Sequence, residues 1–338
     1  MEQRALLASF PPSLLSATLP RMFEAFQLGP FTLLGITFGP ILIWTRLIFL
    51  LIGFWLSTEF FIRLAQSANL SLQHFIDKGI YYVLAFFLGG RILAIIAEYK
   101  VYAADPFRML IVWDGGFSFL GAAIGIAVVI YFATWGHRST FLHWLDALVP
   151  ATTLGLVFAW LGSFFSGSQY GIPTDMPWGV IYDAPNVRYA VPIHPVQLYY
   201  ALFYFLLTFL LLIIRKKSKR VGAETLFGIV SGSVATFFFE NFRGDFAIPA
   251  FATKLDFLVL VGLFVSLGVF ALVELRLTTR GFFLYELCLV LTAGGYLVAR
   301  PYLAQETYEL RFSQLLSIIA LLMTTVYVVV QRRRYPHL

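Results

Sequence analysis

The stretch VQLYYALFYFLLTFLLLIIRKKSKR, residues 196–220, decides the class of this protein. Its first 19 residues carry no charge, and its last six include five basic side chains. A helix needs about 17 to 25 apolar residues to cross the hydrocarbon core of a bilayer. A basic cluster directly after such a run reads as a cytoplasmic anchor at anionic lipid. Comparable apolar runs lie at 45–62, 76–96, 117–134, 145–165, 223–239, 255–273, 282–298 and 315–330. The sixth of the nine, 223–239, is interrupted by Gly228, Ser231 and Gly232, which a helix in lipid tolerates. Overall the 338 residues are 59% hydrophobic and only 12% charged, against about a quarter charged in ordinary globular chains. The expected fold class is an all-α integral membrane protein, a polytopic helix bundle.

Basic residues between the runs set the orientation. With the N-terminus outside, the inner segments hold 12 Lys and Arg and the longer outer segments hold 7. The predicted topology is therefore N-out and C-in. The clusters RKKSKR (215–220) and QRRRY (331–335) carry that asymmetry, and they read as lipid anchors rather than nucleic-acid sites. The net charge of +6 says little about a partner. Residues 1–37 contain Pro11, Pro12, Pro20 and Pro30 without the continuous apolar core of a cleavable signal peptide, so an interfacial arm is expected there. Cys288 is the only cysteine, which excludes an intrachain disulfide and a cysteine-based metal site.

This topology places most ionisable residues at membrane depth near the outer face. Arg46, Arg91, Glu98, Asp114, Glu240, Arg243 and Asp245 all fall there. An Arg at the bilayer centre costs about 2.5 to 3.5 kcal/mol on insertion scales, and a position near the end of a span relieves part of that. Several such groups at one depth suit an anionic lipid headgroup, which needs cationic donors; a structural ion-pair network is the competing reading. In FFFENFRGD (237–245), Glu240 and Arg243 are three apart and share a helical face. They can pair with each other or divide binding duties. In DGGF (114–117), Gly115 and Gly116 after Asp114 let backbone approach a ligand closely, or simply turn a loop into a helix. HPVQLYYA (194–201) sets His194 before a helix start beside Gln197, Tyr199 and Tyr200; His194 there is a capping residue or a site residue. Arg91, His194, Glu240 and Arg243 are expected to converge on one outward cavity open to lipid.

The order of GGR (89–91), WDGGFSFLG (113–121), WLGSFFSGSQYGIPT (160–174), MPWGV (176–180), HPVQLYYA (194–201) and FFFENFRGD (237–245) resembles the bacterial prolipoprotein diacylglyceryl transferase family. The resemblance covers residues 38–275 as a domain of seven family spans with a small outward-facing head between the fourth and fifth. Two extra C-terminal spans and a basic tail, 276–338, lie outside it. It implies a bacterial inner-membrane enzyme that joins the diacylglyceryl group of phosphatidylglycerol to the lipobox cysteine of a preprolipoprotein and releases glycerol phosphate. No metal or organic cofactor is implied. Glu240, Arg243 and His194 are then the candidate catalytic residues. Arg46, Arg91, Asp114, Gly115, Gly116, Gly171, Gln197 and Tyr199 are the candidate substrate-binding ones.

Several positions depart from the family pattern. Trp160, Ser163, Ser166 and Ser168 stand where the signature loop carries Arg, Asn, Asn and Glu, Leu120 where it has His, and Thr236 where it has a second Arg. A serine offers one hydrogen bond in place of the permanently charged fork of Arg. The alternatives are a transferase of this or a related lipid, a silent relative that binds lipid or a partner protein, and a transporter. For the last, no pair of corresponding interrupted helices stands out.

Overall fold

The computed structural model describes residues 41–97, 118–135, 137–182, 187–218, 220–245 and 307–334. Shorter pieces at 17–18, 25–33, 36–39, 102–103, 105–110 and 249–253 and isolated positions between 262 and 299 complete the set. Seven long helices are described: α1 (Thr45–Ser67), α2 (Gly79–Ala97), α3 (Phe119–Ala133), α4 (Arg138–Phe165), α5 (Val196–Lys217), α6 (Ala223–Phe239) and α7 (Phe312–Arg334). Among the described residues, five helices are long and apolar enough to cross a membrane, namely α1, α2, α4, α5 and α6 with its short extension to Phe242. α3 and α7 are apolar over shorter stretches. The glycine-interrupted sixth run is thus helical throughout, while the expected spans 255–273 and 282–298 lie, apart from isolated helical positions, outside the described residues.

Extended pairs accompany the helices. Ala25–Leu28 pairs antiparallel with Ile41–Trp44, and Phe31–Leu33 with Ile36–Phe38, so the segment before α1 forms hairpin structure. Pro249–Thr253 pairs with Thr307–Arg311 ahead of α7. Strand pairing in these segments satisfies backbone groups that a loop would leave to water.

The described residues fall into two compact units, one drawn from Met1–Ser67, Ala147–Ile213 and Phe238–Phe246, the other from Ala68–Asp146, Ile214–Phe237 and Ala247–Leu338. In the first unit, Pro150 interrupts the hydrogen-bond ladder inside α4. One turn on, the buried Thr153 hydroxyl donates to the Pro150 carbonyl at 2.8 Å and lies 2.9 Å from Thr208 Oγ1 on α5. In the second unit, α2 and α3 meet through Gly89, Gly121 and Gly125, where an added Cβ would run into the carbonyls of Gly121, Gly89 and Ala85 respectively. Small residues of this kind let membrane helices approach backbone to backbone. Also in this unit, the buried Asp146 accepts from the amides of Gly222 (2.6 Å) and Thr225 (2.9 Å) and from Thr225 Oγ1 (2.7 Å). A carboxylate from another helix thereby caps the otherwise unsatisfied N-terminus of α6.

Candidate functional site: a hydroxyl loop, a histidine relay and an ion cluster

The end of α4 closes on itself. Ser168 N donates to Ser163 O (3.0 Å) and Gly167 N to Phe164 O (3.2 Å), while the Ser166 and Ser168 hydroxyls lie 2.9 Å apart. Gln197, fully buried in the first turn of α5, donates through Nε2 to Ser168 O at 2.8 Å. Its Oε1 is buried with no hydrogen-bond partner among the described residues. Under this loop, Phe164, Tyr170, Val180, Tyr182 and Ile193 form a small apolar core. Burial raises the Tyr182 hydroxyl above its ordinary range, opposed by a hydrogen bond from Gln197, so it stays protonated and donates to Phe164 O at 3.2 Å.

Backbone then ties three segments together. Ile172 N donates to Phe242 O (2.9 Å), Gly244 N to Tyr170 O (2.8 Å) and His194 N to Ile172 O (3.0 Å). Residues 170–172 therefore run between the stretches around His194 and Arg243. A side chain at Gly171 would collide with the His194 carbonyl, and one at Gly244 with the Gly171 carbonyl. Gly171 thus serves by permitting this crossing.

Two polar clusters flank the crossing. In the first, His194 Nδ1 lies 3.0 Å from Tyr199 Oη, which accepts from Trp178 Nε1 at 2.7 Å. The imidazole is half-buried with Phe242 edge-on at 5.1 Å. Burial lowers its pKa below the ordinary histidine value, which leaves it neutral at pH 7. In the second, Arg243 Nη1 donates to Glu240 Oε1 at 2.7 Å, and Nε and Nη2 grip both oxygens of Asp245. Tyr200 Oη also donates to Glu240 Oε1, at 3.3 Å. Burial disfavours the Arg243 charge, but the Asp245 hydrogen bond, then the charges of Glu240 and Asp245, raise its pKa above the usual value. Trp160 stacks flat on Tyr200, centroids 4.0 Å apart and planes within 4°.

The sequence-predicted residues divide as follows. His194, Tyr199, Gln197, Gly171, Glu240 and Arg243 belong to the first unit, joined by the crossing at Gly171. Arg46 is in that unit too, half-buried on α1, and its backbone lies where α1 meets Gly162 of α4. Arg91 belongs to the second unit and donates to the carbonyls of Arg108 (2.6 Å) and Met109 (3.3 Å), with its guanidinium 5.1 Å from the Tyr102 ring centre. Asp114, Gly115 and Gly116 lie outside the described residues. Sequence reasoning missed Asp245 as the second carboxylate on Arg243, the Trp160–Tyr200 stack and the link from Trp178 to Tyr199. The MPWGV motif was the available signal for the last. Among the described residues no group of three or more His, Cys, Asp or Glu is placed to hold a metal.

Helices able to span a membrane, joined to this compact polar cluster, define a multi-span membrane protein with a site built from neutral donors and one clasped arginine. The chain belongs to the prolipoprotein diacylglyceryl transferase family, whose profile matches residues 35–330. That range includes most of the region after residue 275, which the motifs alone had left outside. Among the relatives, a phosphatidylglycerol–prolipoprotein diacylglyceryl transferase of Shewanella oneidensis is 32% identical over 201 residues, 58% of this chain and 74% of the relative. Proteins of the same name are 33% identical over 239 residues in a Synechococcus strain (66% and 79%) and 34% over 184 residues in Bordetella parapertussis (53% and 68%).

Proposed function

We propose that this protein transfers the diacylglyceryl group of phosphatidylglycerol, or of a related lipid, to the lipobox cysteine of a preprolipoprotein at the bacterial inner membrane. Family membership carries the reading, supported by the retained His194–Tyr199 and Glu240–Arg243 pairs within one unit. In this reaction a carbon–sulfur bond forms as the carbon–oxygen bond to phosphate breaks. The thiol proton leaves the sulfur and ends on the released glycerol phosphate, on which charge grows as the carbon–oxygen bond breaks. Arg243 stabilises that phosphate, oriented for the task by Glu240 and Asp245, and His194 contributes a further polar contact. Arg46 attracts the lipid headgroup while Gln197 and Gly171 shape the loop, and the motif resemblance adds Arg91, Asp114, Gly115 and Gly116 as proposed substrate-binding residues.

The topology belonging to this proposal has nine spans, a small outward head, the N-terminus outside and the C-terminus in the cytoplasm. Residues 1–37 form an interfacial arm and 276–338 add two spans and a basic tail to the domain at 38–275. The basic-residue asymmetry between alternate loops supports it. The test is to incubate purified protein with labelled phosphatidylglycerol and a lipobox peptide and to analyse the peptide by mass spectrometry. A diacylglyceryl-modified cysteine supports the proposal. An unmodified cysteine alongside measurable lipid binding identifies a silent, lipid-binding relative instead.

A further inference from the structure

The MPWGV motif (176–180) supplies no group to the transfer step, yet its tryptophan is bonded to the site. Trp178 Nε1 donates to Tyr199 Oη at 2.7 Å, and that oxygen lies 3.0 Å from His194 Nδ1. The proton inventory of the three groups is restrictive. An indole N–H only donates, a phenol has one proton and two lone pairs, and a neutral imidazole has one N–H and one acceptor nitrogen. With the imidazole proton on Nε2, every group in the row is satisfied: Trp178 donates to Tyr199, and Tyr199 donates to Nδ1. With the proton on Nδ1, the Tyr199 oxygen accepts from both sides and its own O–H has no partner among the described residues. A half-buried donor left in that state is costly.

We propose that Trp178 is a positioning residue that acts through Tyr199 to hold His194 as the Nε2–H tautomer, so that His194 meets its ligand as a neutral hydrogen-bond donor. A neutral donor takes an acceptor oxygen, and under the proposed function that oxygen belongs to the lipid phosphate. Among the described residues the His194 ring hydrogen-bonds through Nδ1 alone, and the residue is half-buried rather than buried. A histidine fixed this way polarises the departing phosphate and does not take the thiol proton. The burial that lowers the His194 pKa agrees with this, because it keeps the ring neutral. The loop itself does not depend on the indole N–H. Gly179 N to Met176 O (2.9 Å) and the double Val180–Ile193 bridge (3.0 Å each way) hold it independently. The identity of the ligand rests on the proposed lipid-phosphate chemistry; the tautomer does not.

The experiment uses the full chain labelled with nitrogen-15 histidine, in detergent, at a mildly alkaline pH where the ring is neutral. His194 is assigned by the signals lost in His194→Gln. The expected spectrum shows a protonated Nε2 and an unprotonated, hydrogen-bonded Nδ1. In Trp178→Phe, and independently in Tyr199→Phe, both nitrogens shift toward the averaged positions of mixed tautomers. A wild-type proton on Nδ1, or an unchanged signature in both variants, overturns the relay. Saturating glycerol phosphate should then move the wild-type Nε2 signal while Nδ1 stays unprotonated; an unmoved Nε2 signal overturns the anion as its ligand. No transfer reaction enters these readings, so a chain with no transferase activity still returns a decisive spectrum.

Discussion

Tyr199 and Tyr200 are neighbours on α5 that face different clusters, and the contrast separates two ways of building a polar site near a membrane. Tyr199 is half-exposed and joins Trp178 to His194 through neutral hydrogen bonds. Tyr200 is 1% exposed and supports Glu240, itself 3% exposed, which with Asp245 clasps Arg243. About 100° of rotation per residue on a helix separates the two hydroxyls. The charged cluster is expected to dominate stability, because removing one partner disrupts a buried ion-pair set whose desolvation is already spent. The neutral relay is expected to tune chemistry at little structural cost, since its groups can fall back on water.

The largest effect should come from the charged side. Arg243→Ala leaves Glu240 and Asp245 facing each other without their shared cation. It should destabilise the unit by about 3 to 5 kcal/mol, read as a lowered unfolding midpoint in detergent, and should abolish transfer. An unchanged midpoint would mean that the clasp contributes no net stability. Next comes the crossing that joins the clusters. Gly171→Ala pushes a methyl group into the His194 carbonyl, a clash worth about 1 to 3 kcal/mol. It should disturb both clusters together, seen as simultaneous shifts of the His194 ring and Arg243 guanidinium signals. If only one moved, the two clusters would be independent. Smaller again is Trp160→Leu, which removes the flat stack on Tyr200; aromatic pairs contribute about 0.5 to 1.5 kcal/mol beyond burial, measurable in the same unfolding assay.

The smallest effect belongs to the neutral side. Burial lowers the His194 pKa, so the unfolded chain binds a proton more readily than the folded one. This group's contribution to stability is full above about pH 6.5, the unfolded value, and is lost as pH falls through the lower folded value. His194→Gln should therefore flatten the acid limb of the stability profile slightly. An unaltered limb would show that His194 titrates alike in both states.

Much of the helical framework was legible because apolar length is a local signal. The runs beginning at Thr45, Val196 and Ala223 start where α1, α5 and α6 start. α4 begins at Arg138, seven residues before the apolar run, because RSTFLHW mixes polar and apolar side chains and so hides from a hydropathy reading while still helical. The site was only half legible. Glu240 and Arg243 announced themselves by three-residue spacing, yet the role of Gly171 depends on backbone from His194 and Gly244, 23 and 73 positions away. The indole of Trp178 reaches Tyr199 across 21 residues. No local period encodes such meetings; they follow from how segments far apart in the chain pair.

The replaced positions bear on how well the site works. By the motif resemblance, Trp160, Ser163, Ser168, Leu120 and Thr236 stand in place of an Arg, Asn, Glu, His and second Arg, and losing one such donor typically slows a reaction by about 100- to 1,000-fold. The chain should therefore fail to restore normal growth to a cell depleted of its own diacylglyceryl transferase while still binding phosphatidylglycerol. Growth at the normal rate would show that the retained groups suffice.

The most direct test of the central claim, that the retained His194, Glu240 and Arg243 carry diacylglyceryl transfer in this chain, is the rate of thioether formation on a lipobox peptide in phosphatidylglycerol vesicles, wild type against Glu240→Gln. Glutamine keeps the shape and removes the charge that orients Arg243. The account predicts slow but measurable product from the wild type and a loss of about 100-fold or more in the variant. Equal rates in the two proteins, or no product from a folded, lipid-binding wild type, would contradict it.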